Sequence, residues 1–165
     1  MKVKTLRTNN GFEFCNKEFG DFCERHEIIR HKIVIHTPQQ SGLTERMNKT
    51  LMDKVRCIRL YSKLSKSLWV EALNTTCYLV NRSPSTTIEC KTPIELWSKR
   101  VVDYSKLRIF GCVAYAYVKQ GKLEPRALRC RFLGYLDRVK AYRLWCIDLK
   151  PSKCIISRDV TFNES

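Results

Sequence analysis

Acidic residues are scarce in this chain of 165 residues: 16 Asp and Glu face 31 Lys and Arg, a net charge of +15 with a sequence pI near 9.6. Such an imbalance points to a polyanionic partner. Nine basic and six acidic residues lie in 1–50, nine and four in 51–100, and thirteen and six in 101–165. The excess is spread through the chain, which predicts a folded basic surface rather than a disordered basic arm. Nucleic acid is the expected partner. No separate basic amphipathic anchor is present, so no membrane partner is expected. Proline and glycine are also few, five and six, against 44% hydrophobic residues, which excludes disorder by composition.

Long apolar runs are missing, so no bilayer span is expected, and the opening MKVKTLRT has no secretory character. The nine cysteines are odd in number and contain no Cys-x-x-Cys pair. His26, His31 and His36 recur every five residues, which suits neither one helical face nor one strand face. A disulfide framework and a zinc module are therefore both set aside. The cysteines read as reduced small hydrophobes, and the chain as nuclear or cytoplasmic, not secreted.

The organising stretch is Thr37–Thr50, TPQQSGLTERMNKT. Pro38 disfavours helix just before it, Thr37 or Ser41 can supply a cap, and nothing breaks a helix from Leu43 to about Leu64. At 100° per residue, Leu43, Met47, Leu51, Val55, Ile58 and Tyr61 share one arc. Glu45, Asn48, Lys49, Met52, Arg56, Arg59 and Lys63 share roughly the opposite one. This predicts a carboxylate on the first turn, at the head of a basic stripe. An acid at a helix start also follows from the macrodipole alone.

Upstream, a strand over Val3–Arg7, a turn at Asn10-Gly11, a helix from about Glu13 to His26 and a strand over Ile28–Ile35 give an α/β order. Phe14, Phe19, Phe22 and Cys23 mark the apolar side of that first helix. Downstream, Leu68, Trp69, Ala72, Leu73, Thr76 and Val80 predict a second long helix, stopped by Asn81-Arg82-Ser83-Pro84. Thr92, Pro93 and Glu95 form a capping box for a short one, where Trp97 reads as a core plug more than as a base-stacking ring. From Leu107 the pattern changes to strands: Leu107–Val118, Cys130–Leu136, Ala141–Leu149 and Ile155–Phe162, with Gly111 a bulge or bend and Lys150-Pro151-Ser152 a hairpin turn. Short strands so spaced predict a small barrel. Arg126, Arg129, Arg131, Arg138, Lys140 and Arg143 crowd neighbouring strands there.

PQQSGLTERMNKTL resembles the integrase signature of copia-type retrotransposon Pol polyproteins. LRTNNGFEF, LWVEALNTTCYLVNRSP and KTPIELW resemble the same integrase core, and LRIFGC, FLGY, KAYRLW and SRDVTFNE the SH3-like module that follows it. The resemblance implies an α/β architecture plus a small all-β domain: a truncated ribonuclease-H-like core over 1–100, with its helical extension, and an SH3-like β-barrel over 106–165. It implies that Glu45 is the last of three metal-binding carboxylates. Asn9 stands where the family has the second, an aspartate, and the 35 residues between Asn9 and Glu45 match the family interval. The first aspartate has no counterpart. Family members use Mg²⁺ or Mn²⁺, which want anionic oxygens, so Glu45 with a neutral Asn9 predicts a degenerate site with no stably bound metal.

DNA is the partner the resemblance implies, with Lys49, Arg56, Arg59 and Lys63 as phosphate contacts and an integrase oligomer as the assembly. Whether the chain is an enzyme stays open, because the carboxylate triad is incomplete. The leading reading is an inactive integrase segment. The alternatives are a non-catalytic basic module binding nucleic acid or protein, and a piece of an active integrase assembly.

Overall fold

A computed structural model describes residues 2–8, 11–34, 38–118, 126–136 and 139–164, and of 38–41 the backbone only. Contacts divide the chain into two compact units, Met1–Thr50 and Leu51–Ser165. The sequence reading places its boundary at 100–106 instead. The difference comes from the helical segment after Leu51, which is packed on the β-sheet.

In the first unit, β1 (Thr5–Thr8) and β2 (Ile29–Lys32) pair in parallel, Thr5 opposite Ile29 through Thr8 opposite Lys32. A parallel pair needs a crossover connection, here α1 (Phe12–Cys15) and α2 (Lys17–Arg25). The single helix expected from Glu13 to His26 is thus broken. Asn16 is extended (φ −76°, ψ 158°) and its Oδ1 accepts the Phe19 N–H at 2.7 Å, an N-cap that competes with continued helix. Glu27, in the left-handed region at φ 56°, lies just past the end of α2. Cys23 is buried, Phe14 and Phe19 meet edge to face at 5.6 Å, and the Arg30 guanidinium lies 4.9 Å over Phe19. Ile29 and Val34 remain exposed, so this pair of strands covers little apolar surface.

Helix α3 (Pro38–Ser62) begins earlier than expected, because Pro38 sits inside the first turn rather than breaking the chain. The proposed cap Thr37 lies outside the described residues, as does the Ser41 side chain. Only the middle of the expected apolar arc is covered, from the half-buried Leu51 onward to Ile58. Val55 is buried and Ile58 half-buried, while Leu43, Met47 and Tyr61 are exposed.

In the second unit α4 (Trp69–Val80) follows a 3-10 turn at Lys66–Leu68, and α5 (Pro93–Ser98) carries the expected capping box. Thr92 Oγ1 accepts the Glu95 N–H at 3.2 Å, and Glu95 Oε2 accepts the Thr92 N–H at 3.0 Å. The Thr92 N–H first, then the Thr92 hydroxyl at 2.9 Å from Glu95 Oε2 and the Val102 N–H at 3.3 Å from Oε1, hold the Glu95 carboxyl below its ordinary pKa. Trp97, read as a core plug, is 47% exposed, because α5 has only six residues and turns this ring outward.

The strands β3 (Val113–Tyr117), β4 (Ala127–Tyr135), β5 (Tyr142–Cys146), β6 (Lys153–Ser157) and β7 (Val160–Asn163) form one antiparallel sheet in the order β6-β5-β4-β3-β7. Leu107–Gly111, expected in the first strand, is instead a turn region, and Ile155–Phe162 divides into β6 and β7. These two lie at opposite edges yet are joined by only Arg158-Asp159. That link spans about 10 Å, whereas five flat strands would set their edges about 19 Å apart. The sheet is therefore coiled toward closure, as a small barrel requires.

Two apolar clusters hold this unit. Cys112, Ala114, Ala116, Cys130, Phe132, Leu144 and Cys146 fill the concave side. Val55, Ala72, Phe110 and Leu133 join the helices to the other side. A bulge between Phe132 and Gly134 lies where neighbouring side chains enter opposite clusters. Thr75 Oγ1 donates to the Leu133 carbonyl at 2.6 Å, and a Cβ on Gly134 would stand 2.5 Å from that hydroxyl. Among the described residues no helix is long and apolar enough to cross a membrane.

Candidate functional site

Helix α3 carries most of the predicted site. Glu45, Lys49 and Arg56 are exposed along it, and Arg59 is half-buried. Glu45 lies about two turns in, not on the first turn, so the macrodipole reading of this acid loses its force, which is confined to the terminal turn. Arg56 is partly occupied: its Nη1 meets Asp53 Oδ1 at 3.0 Å in an exposed pair, an interaction of at most about 1 kcal/mol. Lys63 is not on the helix. It follows Ser62 with φ 55°, while Ser62 Oγ donates to the Arg59 carbonyl and closes the last turn. Gly111 explains why the turn falls there. It has φ 79°, and a Cβ on it would sit 2.4 Å from Ser62 Cβ, so the chain leading into β3 passes close by the helix end.

Asn9 lies outside the described residues, and so does Arg138 of the barrel. Among the described residues no three His, Cys, Asp or Glu side chains stand together as metal ligands. Asn9 offers a neutral carbonyl where hard cations need anionic oxygen.

In the barrel, two of the crowded arginines are used internally. Arg131 Nη1 donates to the Gly111 carbonyl at 2.9 Å. Arg143 Nη2 meets Glu71 Oε1 at 2.5 Å, tying β5 to α4, and this hydrogen bond raises the Arg143 pKa. Arg126, Arg129 and Lys140 remain exposed. A cavity of about 450 Å³ opens beside the Glu71–Arg143 pair, lined also by Asn74, Tyr78 and Tyr135. Tyr78 and Tyr135 stack at 3.9 Å, and the Arg82 guanidinium lies 3.3 Å from the Tyr78 ring centre. The sequence reading passed over this cluster, because tyrosines 57 residues apart carry no local periodicity.

None of the nine cysteines is in a disulfide. Cys23, Cys112, Cys130 and Cys146 are buried, and burial pushes the Cys112 thiol up to about 11 and the Cys130 thiol up to about 12. These are packing groups, not nucleophiles.

Residues 112–165 match the retroviral polymerase SH3-like domain family. Over 99% of its length the chain is 45% identical to the retrovirus-related Pol polyprotein from transposon TNT 1-94 of Nicotiana tabacum. It is 30% identical, over the same share, to that from transposon RE1 of Arabidopsis thaliana. The chain spans only 12% and 11% of those relatives' lengths. A solved structure of the simian T-cell lymphotropic virus intasome, in complex with PP2A regulatory subunit B56 gamma, shares its fold at a TM-score of 0.50 and 18% identity, covering 96% of this chain and 57% of that one. The chain corresponds to a segment of retrotransposon Pol polyproteins that carries the retroviral polymerase SH3-like domain over residues 112–165.

Proposed function

We propose that the chain is an integrase-region segment that binds DNA and does not itself cut or join it. The observation that carries this reading is α3, which exposes Glu45, Lys49 and Arg56 in a chain of net charge +15. Lys49, Arg56 and Arg59 neutralise phosphates, a sequence-independent attraction. The β1–α2–β2 order ahead of α3 supports part of a ribonuclease-H-like core. Inactivity rests on Asn9, a neutral group at the position where the integrases it resembles carry aspartate.

Labelled DNA incubated with the chain and Mg²⁺ or Mn²⁺ tests both halves. Salt-sensitive retention without nicked or joined product is expected. Glu45→Gln leaves binding unchanged or slightly stronger, because without metals its negative charge repels phosphate. Metal-dependent cleavage abolished by Glu45→Gln would overturn the proposal. So would a Glu45→Gln variant that binds more weakly in Mg²⁺ but not in EDTA.

A further inference from the structure

Strand β3 alternates strictly. Ala114 and Ala116 are fully buried inside the sheet, which places Tyr115 and Tyr117 on its outer face, 40% and 51% exposed. Tyrosines two apart on one strand stand about 7 Å from each other. Tyr115 lies opposite the exposed Arg129 on β4 and Thr161 on β7, within side-chain reach of both. Arg126, also exposed, precedes β4, and its carbonyl accepts the Val118 N–H just past Tyr117. Two aromatic rings and the Arg129 guanidinium thus share one open surface, with the exposed Arg126 at its edge. Among the described residues, Asp148 Oδ2 accepts the Arg129 N–H and the Asp159 carbonyl accepts the Tyr117 N–H.

Neither tyrosine ring takes part in the aromatic cluster of Phe132, Tyr135, Tyr142 and Phe162, so packing does not explain them. We infer that the Tyr115–Tyr117–Arg129 face of β3 and β4 is a platform for single-stranded nucleic acid, with the tyrosines stacking unpaired bases and Arg129 and Arg126 tracking the phosphates. The basic side chains select a polyanion. The rings select a single strand, because a duplex hides its base faces and offers them nothing to stack on. This inference deepens the nucleic-acid reading above and rests on it, but it uses a surface distinct from α3.

The test uses the full chain with labelled oligothymidylate and with a duplex of equal length. Tyr115→Ala and Tyr117→Ala each lower single-strand affinity about five- to hundredfold, while Tyr→Phe at either position keeps it and duplex affinity does not move. Arg129→Ala reduces the single-strand salt slope by roughly 0.7. Ultraviolet crosslinking of the unmodified chain to the oligonucleotide is expected to map to the peptide holding Tyr115 and Tyr117, which checks the site without any variant. Unaltered single-strand binding by both folded alanine variants would overturn the inference. So would an equal loss on duplex, or tyrosine-dependent capture of a proline-rich peptide in place of the oligonucleotide. Tyrosine-dependent single-strand binding with no contribution from Lys49, Arg56 or Arg59 would instead sink the α3 reading and leave this platform standing.

Discussion

Gly111 shows how much one residue can decide. Its φ of 79° is strained for any residue with a Cβ, and that Cβ would collide with Ser62 at the end of α3. Gly111→Ala is expected to destabilise the chain by about 1–3 kcal/mol, measured by urea unfolding; an unchanged midpoint would mean the helix end yields freely. Asp103 is a residue-scale case with a pH signature. The Lys106 ammonium at 2.7 Å, then the Ser105 hydroxyl and N–H, lower its carboxyl from 3.8 to about 2. A lowered carboxyl contributes stability that is present above its unfolded pKa and lost as pH falls through the folded value. The contribution from Asp103 therefore declines between about pH 4 and pH 2. Asp103→Asn removes that part of the acid dependence, which a comparison of unfolding curves at those two pH values will register.

At the scale of elements, the basic side of α3 makes a quantitative prediction. Arg56→Ala and Arg59→Ala each reduce the duplex salt slope by roughly 0.9, uniformly across sequences. Lys63→Ala, off the helix, reduces it less. An equal effect at Lys63 would show that the helix end does not set the contact surface. The seam between α4 and β4 makes another. Thr75 is buried and its hydroxyl satisfies the Leu133 carbonyl beside the bulge. Thr75→Val keeps the shape but orphans that carbonyl, at a cost of about 1–3 kcal/mol. Thermal unfolding is the check, and a neutral result would mean that the bulged carbonyl finds another donor.

For the whole molecule, the two units differ in what holds them. Among the described residues, Met1–Thr50 has one parallel pair of strands and few buried side chains, whereas Leu51–Ser165 has a five-stranded sheet and two apolar clusters. Two-stranded sheets are marginal by themselves. Hydrogen exchange is expected to be faster over β1 and β2 than over β3–β5; slow exchange at Thr5–Thr8 and Ile29–Lys32 equal to that of β4 would contradict this.

The sequence by itself determined the local features. The capping box at Thr92 and Glu95, the long helices and the alternation of Ala114, Tyr115, Ala116 and Tyr117 each depend on neighbours a few positions away, and periodicity and cap chemistry report those directly. The family too was legible, because its motifs are short and ordered. Only tertiary structure decided what those elements meet. Trp97 turned outward, and Arg131 and Arg143 were drawn into internal bonds with Gly111 and Glu71, partners 20 and 72 residues away. Which charge stays free for a partner depends on contacts between distant elements. Those are set by how the sheet coils and how α4 packs on it, and no window of sequence contains them.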